Sequence, residues 1–228
     1  MNLEPYVEER LRSFLDEDLG LGDITTDSTV DEEVWASAII ICKEDAVVAG
    51  IEEAAKVFEL LGCTAKPLVE DGAQVGAGTP ILRLEGWGRA ILKGERTALN
   101  LLMRMSGIAT MTRRVLLKAR KVNGRVRIAC TRKTAPGLRY FDKKAVVLGG
   151  GDPHRFRLDD CVLIKDNHIR LVGSVREAIK RAKSQGSLTK EVEVEAENVD
   201  QALEAALSGA DIVMLDNMEV GELSLIHI

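Results

Sequence analysis

The chain has 228 residues, 46% of them apolar and 29% charged, with a net charge of −5. That is an ordinary globular composition, long enough for one large domain or two smaller ones. No apolar run reaches the roughly 18 residues of a membrane span, so no membrane partner is expected.

The acidic, amphipathic start MNLEPYVEERLRSFLDEDLG lacks the basic head and apolar block of a secretory signal. Apolar residues at helical spacing, Leu3, Val7, Leu11, Phe14 and Leu15, predict a helix over residues 3–18. GLGDITTD ends that pattern, with Asp23, Thr25 and Thr26 placed to cap or shape a loop. VWASAIIICKEDAVVAG (34–50) predicts two short strands on either side of Lys43-Glu44-Asp45. IEEAAKVFELLG (51–62) predicts a helix stopped by Gly62. VEDGAQVGAGTPILRLEG (69–86) is strand and turn material, expected to pair antiparallel. It is similar to the hammerhead hairpin of lipoyl and biotinyl carriers, but residues 69–82 hold no lysine to modify, so a carrier role is set aside. Trp35 and Trp87 are expected to serve packing.

A long helix is predicted from GERTALNLLMRMSGIATMTRRVLLKARK (94–121). Four strand-like segments follow: Val126 to Cys130, Cys161 to Lys165, Val192 to Glu195, and Ile212 to Leu215. The last three alternate with the helical stretches GSVREAIKRAKSQG and NVDQALEAALSGA. Such β–α–β–α–β alternation, with right-handed crossovers, builds a parallel sheet or barrel. The four cysteines, Cys42, Cys63, Cys130 and Cys161, form no CxxC pair. They read as reduced thiols of a cytoplasmic protein, with no zinc site.

Charge is unevenly spread. Arg89 through Tyr140 carries fourteen Lys or Arg and one acid, Glu95. A basic block in an acidic chain points to an anionic partner, although much of it is expected to be a solvated helix face. Tyr140 is the block's one aromatic, so a base-stacking platform is lacking and nucleic acid is not expected as partner.

Each predicted strand exits into polar residues: Thr131-Arg132-Lys133-Thr134, Lys165-Asp166-Asn167-His168, Glu195, and Asp216-Asn217. Parallel strands bring their C-terminal ends to one face, where α/β barrels hold their chemistry. A single polar strand end only meets water; four with Arg, Lys, Glu and Asp at matching places indicate a site. Its basic half is Arg132, Lys133, His154, Arg155 and Lys165, with Arg96, and its acidic half is Glu195 and Asp216. Clustered cations suit a ligand with several negative charges. Carboxylates opposite them suit sugar hydroxyls, a magnesium ion or developing positive charge. GGGDPHR (149–155) is expected to offer a flexible backbone and exposed N–H groups to an anion. Pro136-Gly137 is expected to turn the chain after the basic pair.

GERTALNLLMRMSGIAT, TRKTAPGLR, GGGDPHRFRLDDCVLIKDNHI, VEVE, DIVMLDN and, earlier, EDLGLGDITTD resemble the quinolinate phosphoribosyltransferases, carboxylating nicotinate-nucleotide pyrophosphorylases. The resemblance runs from about residue 15 to 222, in order and spacing. It implies an N-terminal α/β sandwich domain (1–95) and an open, TIM-like α/β barrel catalytic domain (96–222), incomplete in this chain. It implies phosphoribosyl transfer from phosphoribosyl pyrophosphate (PRPP) to quinolinate with magnesium, giving nicotinate mononucleotide, pyrophosphate and carbon dioxide in NAD biosynthesis. By the family pattern, Arg132, His154 and Arg155 hold the quinolinate carboxylates, and Lys133 and Lys165 serve the phosphates and the substrate acid. Glu195 and Asp216 hold ribose hydroxyls and magnesium. Arg96 reaches in from a neighbouring subunit, implying a homodimer or higher homo-oligomer. Ala135 stands where the family often has Thr, removing one hydroxyl contact.

The glycine-rich turns that bind the 5′-phosphate in the family come from later barrel strands, which puts the activity of this chain by itself in question. Leu223 to Ile228 match the translation of a sequencing-adapter read and are left out of the functional reading, His227 with them. Two rival readings are a molybdenum-operon paralogue of the same fold and a Schiff-base barrel aldolase using Lys165. The intact IKDNHI and GGGDPHR weigh against the first, and the arginine cluster, which aldol chemistry does not require, against the second.

Overall fold

The computed structural model describes residues 4–226. Leu3 of the first predicted helix, and His227 and Ile228 of the tail, lie outside the described residues. The chain divides into two compact units, one through His154 and one from Arg155. Residue 95 falls inside a continuous helix of the first.

That unit opens with helix α1 (Glu4–Leu19), followed by α2 (Ile24–Thr29). Asp23 caps α2: its carboxylate accepts from the Thr26 N–H at 3.0 Å, the usual rescue of a helix's unpaired first donors. The expected short strands are β1 (Trp35–Ile41) and β2 (Ala46–Val47). Then come α3 (Ile51–Leu60), β3 (Thr64–Pro67), β4 (Gln74–Val75) and β5 (Pro80–Trp87). β5 lies between β1 and β3, antiparallel to both, and β2 pairs with β4. On β5, residues Leu82, Leu84 and Gly86 face the core, the period of two that a half-buried strand requires. Trp35 and Trp87 are register partners on the outer face, edge to face with ring centroids 5.2 Å apart and 60% and 48% exposed.

Helix α4 (Gly88–Arg120) begins six residues before the predicted start and packs on α3. Part of the basic block on it is neutralised from outside: Arg89 pairs with Asp27 and Glu32, Lys93 with Asp27, and Arg104 with Asp142. Helix α5 (Arg139–Leu148) packs against α4 and brings Phe141 and Ala145 into a core shared with Phe58, Leu82, Leu101 and Met105.

The predicted strand Val126–Cys130 does not form. Its segment makes an isolated parallel bridge, Ala129 opposite Asp152, with two bonds: Asp152 N–H to the Ile128 carbonyl and Cys130 N–H to the Asp152 carbonyl. The ladder stops because Pro153 has no N–H and His154 leaves the extended region (φ 48), giving its N–H to the Asp152 carboxylate at 2.7 Å.

The second unit holds β6 (Val162–Ile164), α6 (Asp166–Val172), α7 (Val175–Gln185), β7 (Val192–Ala196), α8 (Val199–Leu207), β8 (Ile212–Leu215) and α9 (Val220–Ile226). The three strands make a parallel sheet in sequence order. The crossover helices are capped where the sequence offers oxygen, by Ser174 to Glu177 N–H and by Asn198 to Gln201 N–H. Ile164, Val194, Ile179 and Ala205 pack beneath them. Among the described residues no helix is long and apolar enough to cross a membrane.

Candidate active site

In the first unit, Arg132 and Lys133 follow the bridge residue Ala129 and precede a tight turn. Leu138 N–H closes that turn onto the Ala135 carbonyl at 3.1 Å, with Gly137 at φ 81. Pro at the second place and a left-handed Gly at the third are what such a turn needs, as expected of Pro136-Gly137. Lys133 is exposed, its backbone N–H donating to Thr131 Oγ1 at 3.1 Å. The Nε of Arg132 is buried and has no hydrogen-bond partner in this structure. His154 is half-buried at the far side of the same bridge. Arg96 is exposed on α4, lining a recess with Asp18, Asp23, Leu92 and Lys93.

The glycine run does not do what its composition suggests. Gly149, Gly150 and Gly151 give their N–H groups to Ala145, Val147 and Val146 carbonyls, and Asp152 gives its own to Ile128. No free row of donors faces an anion there. The glycines are needed for packing instead. A Cβ on Gly149 would stand 2.6 Å from the Ala109 carbonyl oxygen, and one on Gly151 2.8 Å from Thr112 Cγ2. The run lets the segment lie directly against α4.

In the second unit, Lys165 sits one residue beyond β6. The register Ile164 opposite Val194 sets it across from Glu195 on β7, and its Nζ meets Glu195 Oε1 at 2.5 Å. The pair is part-buried, with the Lys165 and Glu195 side chains 40% and 17% exposed. Asp216 follows β8. Glu195 is opposite Met214, so Asp216, two residues on, points to the same face of the sheet. Asn217, in the left-handed region (φ 54), donates to Asp216 Oδ2 at 3.0 Å. Arg155 reaches the Cys161 carbonyl at 3.5 Å, and the Lys165 N–H donates to His168 Nδ1 at 3.0 Å. His168 therefore shapes the start of α6. All four cysteines are free, and burial pushes the Cys63 and Cys161 thiols up, away from thiolate reactivity.

Two family models match the chain: the N-terminal domain of quinolinate phosphoribosyl transferase over residues 23–106 and its C-terminal domain over 108–226. The chain belongs to the quinolinate phosphoribosyltransferase family. Among curated relatives, it is 52% identical over 221 residues to a probable nicotinate-nucleotide pyrophosphorylase [carboxylating] of Methanocaldococcus jannaschii. That match takes in 97% of this chain and 77% of the relative. A like-named protein of Bacillus subtilis is 40% identical across 92% of the chain and 73% of its own length. Among solved structures, NadC from Streptococcus pyogenes superposes with a TM-score of 0.91 at 38% identity, over 99% of this chain and 80% of that one. The nicotinate-nucleotide pyrophosphorylase of Francisella tularensis gives 0.89 at 38%, over 96% and 78%. The chain thus has the α/β fold of this family, with its N- and C-terminal domains.

Sequence reasoning passed over three charges of α5. Asp142 accepts from Arg104 at 2.6 and 2.8 Å. Lys143 is buried, its ammonium on the Pro153 carbonyl and, at 3.5 Å, on Cys130 Sγ. Lys144 meets Glu52 at 2.6, Glu53 at 2.8 and Asp71 at 3.4 Å. Those three acids are close enough to hold a metal ion, but Lys144 already supplies their cation. The signal was in YFDKKAVVL: three charges in a row between apolar residues on both sides leave a short helix no wholly polar face.

Proposed function

We infer that this chain transfers the phosphoribosyl group of PRPP to quinolinate and releases pyrophosphate and carbon dioxide, forming nicotinate mononucleotide. Membership in the family supports the reaction. The buried, unpaired Nε of Arg132 is the observation in this structure that most favours an anionic substrate. A buried donor without a partner costs about 1–3 kcal/mol, which a substrate carboxylate recovers as a charge-assisted bond.

The residue roles are part of this proposal. Arg132, His154 and Arg155 hold the two carboxylates of quinolinate and set the ring nitrogen toward the ribose carbon. Lys133 and Lys165 neutralise phosphate oxygens and the substrate acid. As the nitrogen–carbon bond forms and the bond to pyrophosphate breaks, positive charge on the ribose meets Glu195 and Asp216. The ring, now carrying a cationic nitrogen, then accepts the electron pair left by the departing carboxylate, and a proton takes its place. The chain works by position and charge. Lys165 Nζ is engaged by Glu195, which disfavours the free amine that a Schiff-base aldolase needs.

Two carboxylates on one sheet face are hard oxygen donors of the kind magnesium takes when it shares substrate phosphates. Glu195 and Asp216 would hold the ion, which would neutralise pyrophosphate oxygens. The proposal also includes a TIM-like open barrel beginning within α4, after an N-terminal sandwich through residue 95. It further includes a cytoplasmic location and a homodimer or higher homo-oligomer with Arg96 lent to the neighbouring subunit. The test is conversion of quinolinate and PRPP to nicotinate mononucleotide, followed by chromatography. Product from the wild type and none from Arg132→Ala supports the reading; a folded wild type that gives none overturns it. Mixing inactive Arg96→Ala and Arg132→Ala proteins restores a quarter to a half of the sites only if Arg96 acts across subunits.

A further inference from the structure

Helix α5 joins the turn after Arg132 and Lys133 to the segment that ends in His154. Its three successive charges hold it from three sides. Asp142 is tied to Arg104 of α4. Lys144 is tied to Glu52 and Glu53 of α3 and to Asp71. Lys143, 2% exposed, points to neither. Its ammonium donates to the Pro153 carbonyl, next to His154, and lies 3.5 Å from Sγ of Cys130, two residues before Arg132. Cys130 Sγ is itself 3.4 Å from the Pro153 carbonyl.

Those two segments meet in a one-pair bridge, Ala129 with Asp152, and His154 withdraws its N–H from the ladder to cap the Asp152 side chain. Ahead of the bridge the two segments are also tied by the Arg127–Asp152 ion pair. Beyond the bridge, Lys143 and Cys130 make the link. Stability does not account for an ammonium at this place. Burying one costs several kcal/mol, and an apolar side chain of similar volume is often neutral or stabilising there. Methionine, unbranched and about as long, fills such a space. What an ammonium adds is direction, since it pins one carbonyl oxygen at hydrogen-bond distance.

We propose that Lys143 is a positioning residue for quinolinate binding, fixing the spacing between Arg132 and His154 by clamping the two chain segments that carry them. The inference rests on the reading that Arg132 and His154 hold the quinolinate carboxylates. A misplacement of about 1 Å in such a pair costs on the order of 10²-fold in rate.

The experiment is Lys143→Met in the full protein, with steady-state kinetics for each substrate and thermal melting by circular dichroism. The expected result is a KM for quinolinate raised about tenfold or more, a KM for PRPP within about twofold, and a melting temperature unchanged or higher. A merely structural lysine would lower the melting temperature and leave the ratio of the two KM values alone. A folded variant with wild-type KM for quinolinate overturns the proposal. If Lys143→Met does not fold, Lys143→Arg decides. It keeps the charge but sets its nitrogens farther out, so KM for quinolinate must still rise, and a normal KM or failure of both variants to fold overturns the proposal. Wild-type turnover, lost in Arg132→Ala, checks the underlying reading separately, so a null result at Lys143 counts against Lys143 alone.

Discussion

The charges of α5 and the Lys165–Glu195 pair use the same chemistry in opposite surroundings. Asp142 and Glu53 are buried, each paired with a cation on a neighbouring helix. Lys165 and Glu195 stand at strand ends, partly in water, with one contact between them. A buried pair is costly to break, because the charge left behind has no water to turn to. An exposed pair is worth about 0–1 kcal/mol, so a ligand can take over either partner cheaply. The comparison separates charges that hold the scaffold from charges that are free to meet substrate, and it can be broken by mutation.

The largest effect is expected at the Lys165–Glu195 pair. Lys165→Ala should lower kcat/KM for the phosphoribosyl transfer by about 10²–10³-fold while shifting stability by no more than about 1 kcal/mol. Steady-state assay and chemical denaturation of the same preparation check both halves. A large stability loss with intact turnover would reverse the assignment.

Lys144→Met should do the opposite, leaving KM for both substrates near wild type and costing about 3–5 kcal/mol at neutral pH. Burial raises the Glu53 carboxyl above its ordinary value, and the Lys144 ammonium pulls it back down. Without Lys144 only the upward push of burial remains. A carboxyl raised on folding contributes stability that is whole below its unfolded value, near 4.5, and is lost as pH climbs through its folded value. The variant should therefore recover stability on acidification toward that range and lose it toward pH 8. Urea denaturation at several pH values reads this directly; a flat difference from wild type would mean that Glu53 is not the carboxylate left exposed to the change.

Arg104→Met, which removes the two-pronged contact on Asp142, should cost about 2 kcal/mol and is read by the same denaturation. The smallest effect is expected far from any of these charges. Ser174→Ala deletes the cap of α7 and should cost about 1 kcal/mol, measured as faster amide exchange in the first turn of that helix.

The repeating part of the fold was readable from residue order. From Cys161 to Leu215, apolar strand blocks alternate with capped amphipathic helices, and each block becomes a strand within a residue or two of its predicted ends. The strand exits Lys165, Glu195 and Asp216 followed from the same regularity. Val126–Cys130 has equal strand propensity but lacked a partner long enough to pair with, since Pro153 and the turned His154 end the ladder. Pairing is a property of two segments, and one segment's composition does not report it. The glycine run failed for a related reason: glycine admits both close packing and ligand approach, and only the position of Thr112 and Ala109 behind it selects the first. Lys143 was invisible because lysine is the residue that sequence logic sends to water, and its burial depends on how the segments of Cys130 and Pro153, on either side of α5, fold back onto it.

The edge-to-face pair of Trp35 and Trp87 has a practical consequence for melting curves of this protein followed by fluorescence. These are the chain's two tryptophans, and its two tyrosines, Tyr6 and Tyr140, belong to the same unit. Intrinsic fluorescence therefore reports on the residues through His154 and is silent about the parallel sheet after it. A loss of the strand ends that carry Glu195 and Asp216 would pass unseen in an emission scan, while a small shift at the β1–β5 edge would dominate it. A tryptophan placed on an exposed site of α8, such as Leu203→Trp, would give the second half its own optical signal and reveal whether the two halves melt together.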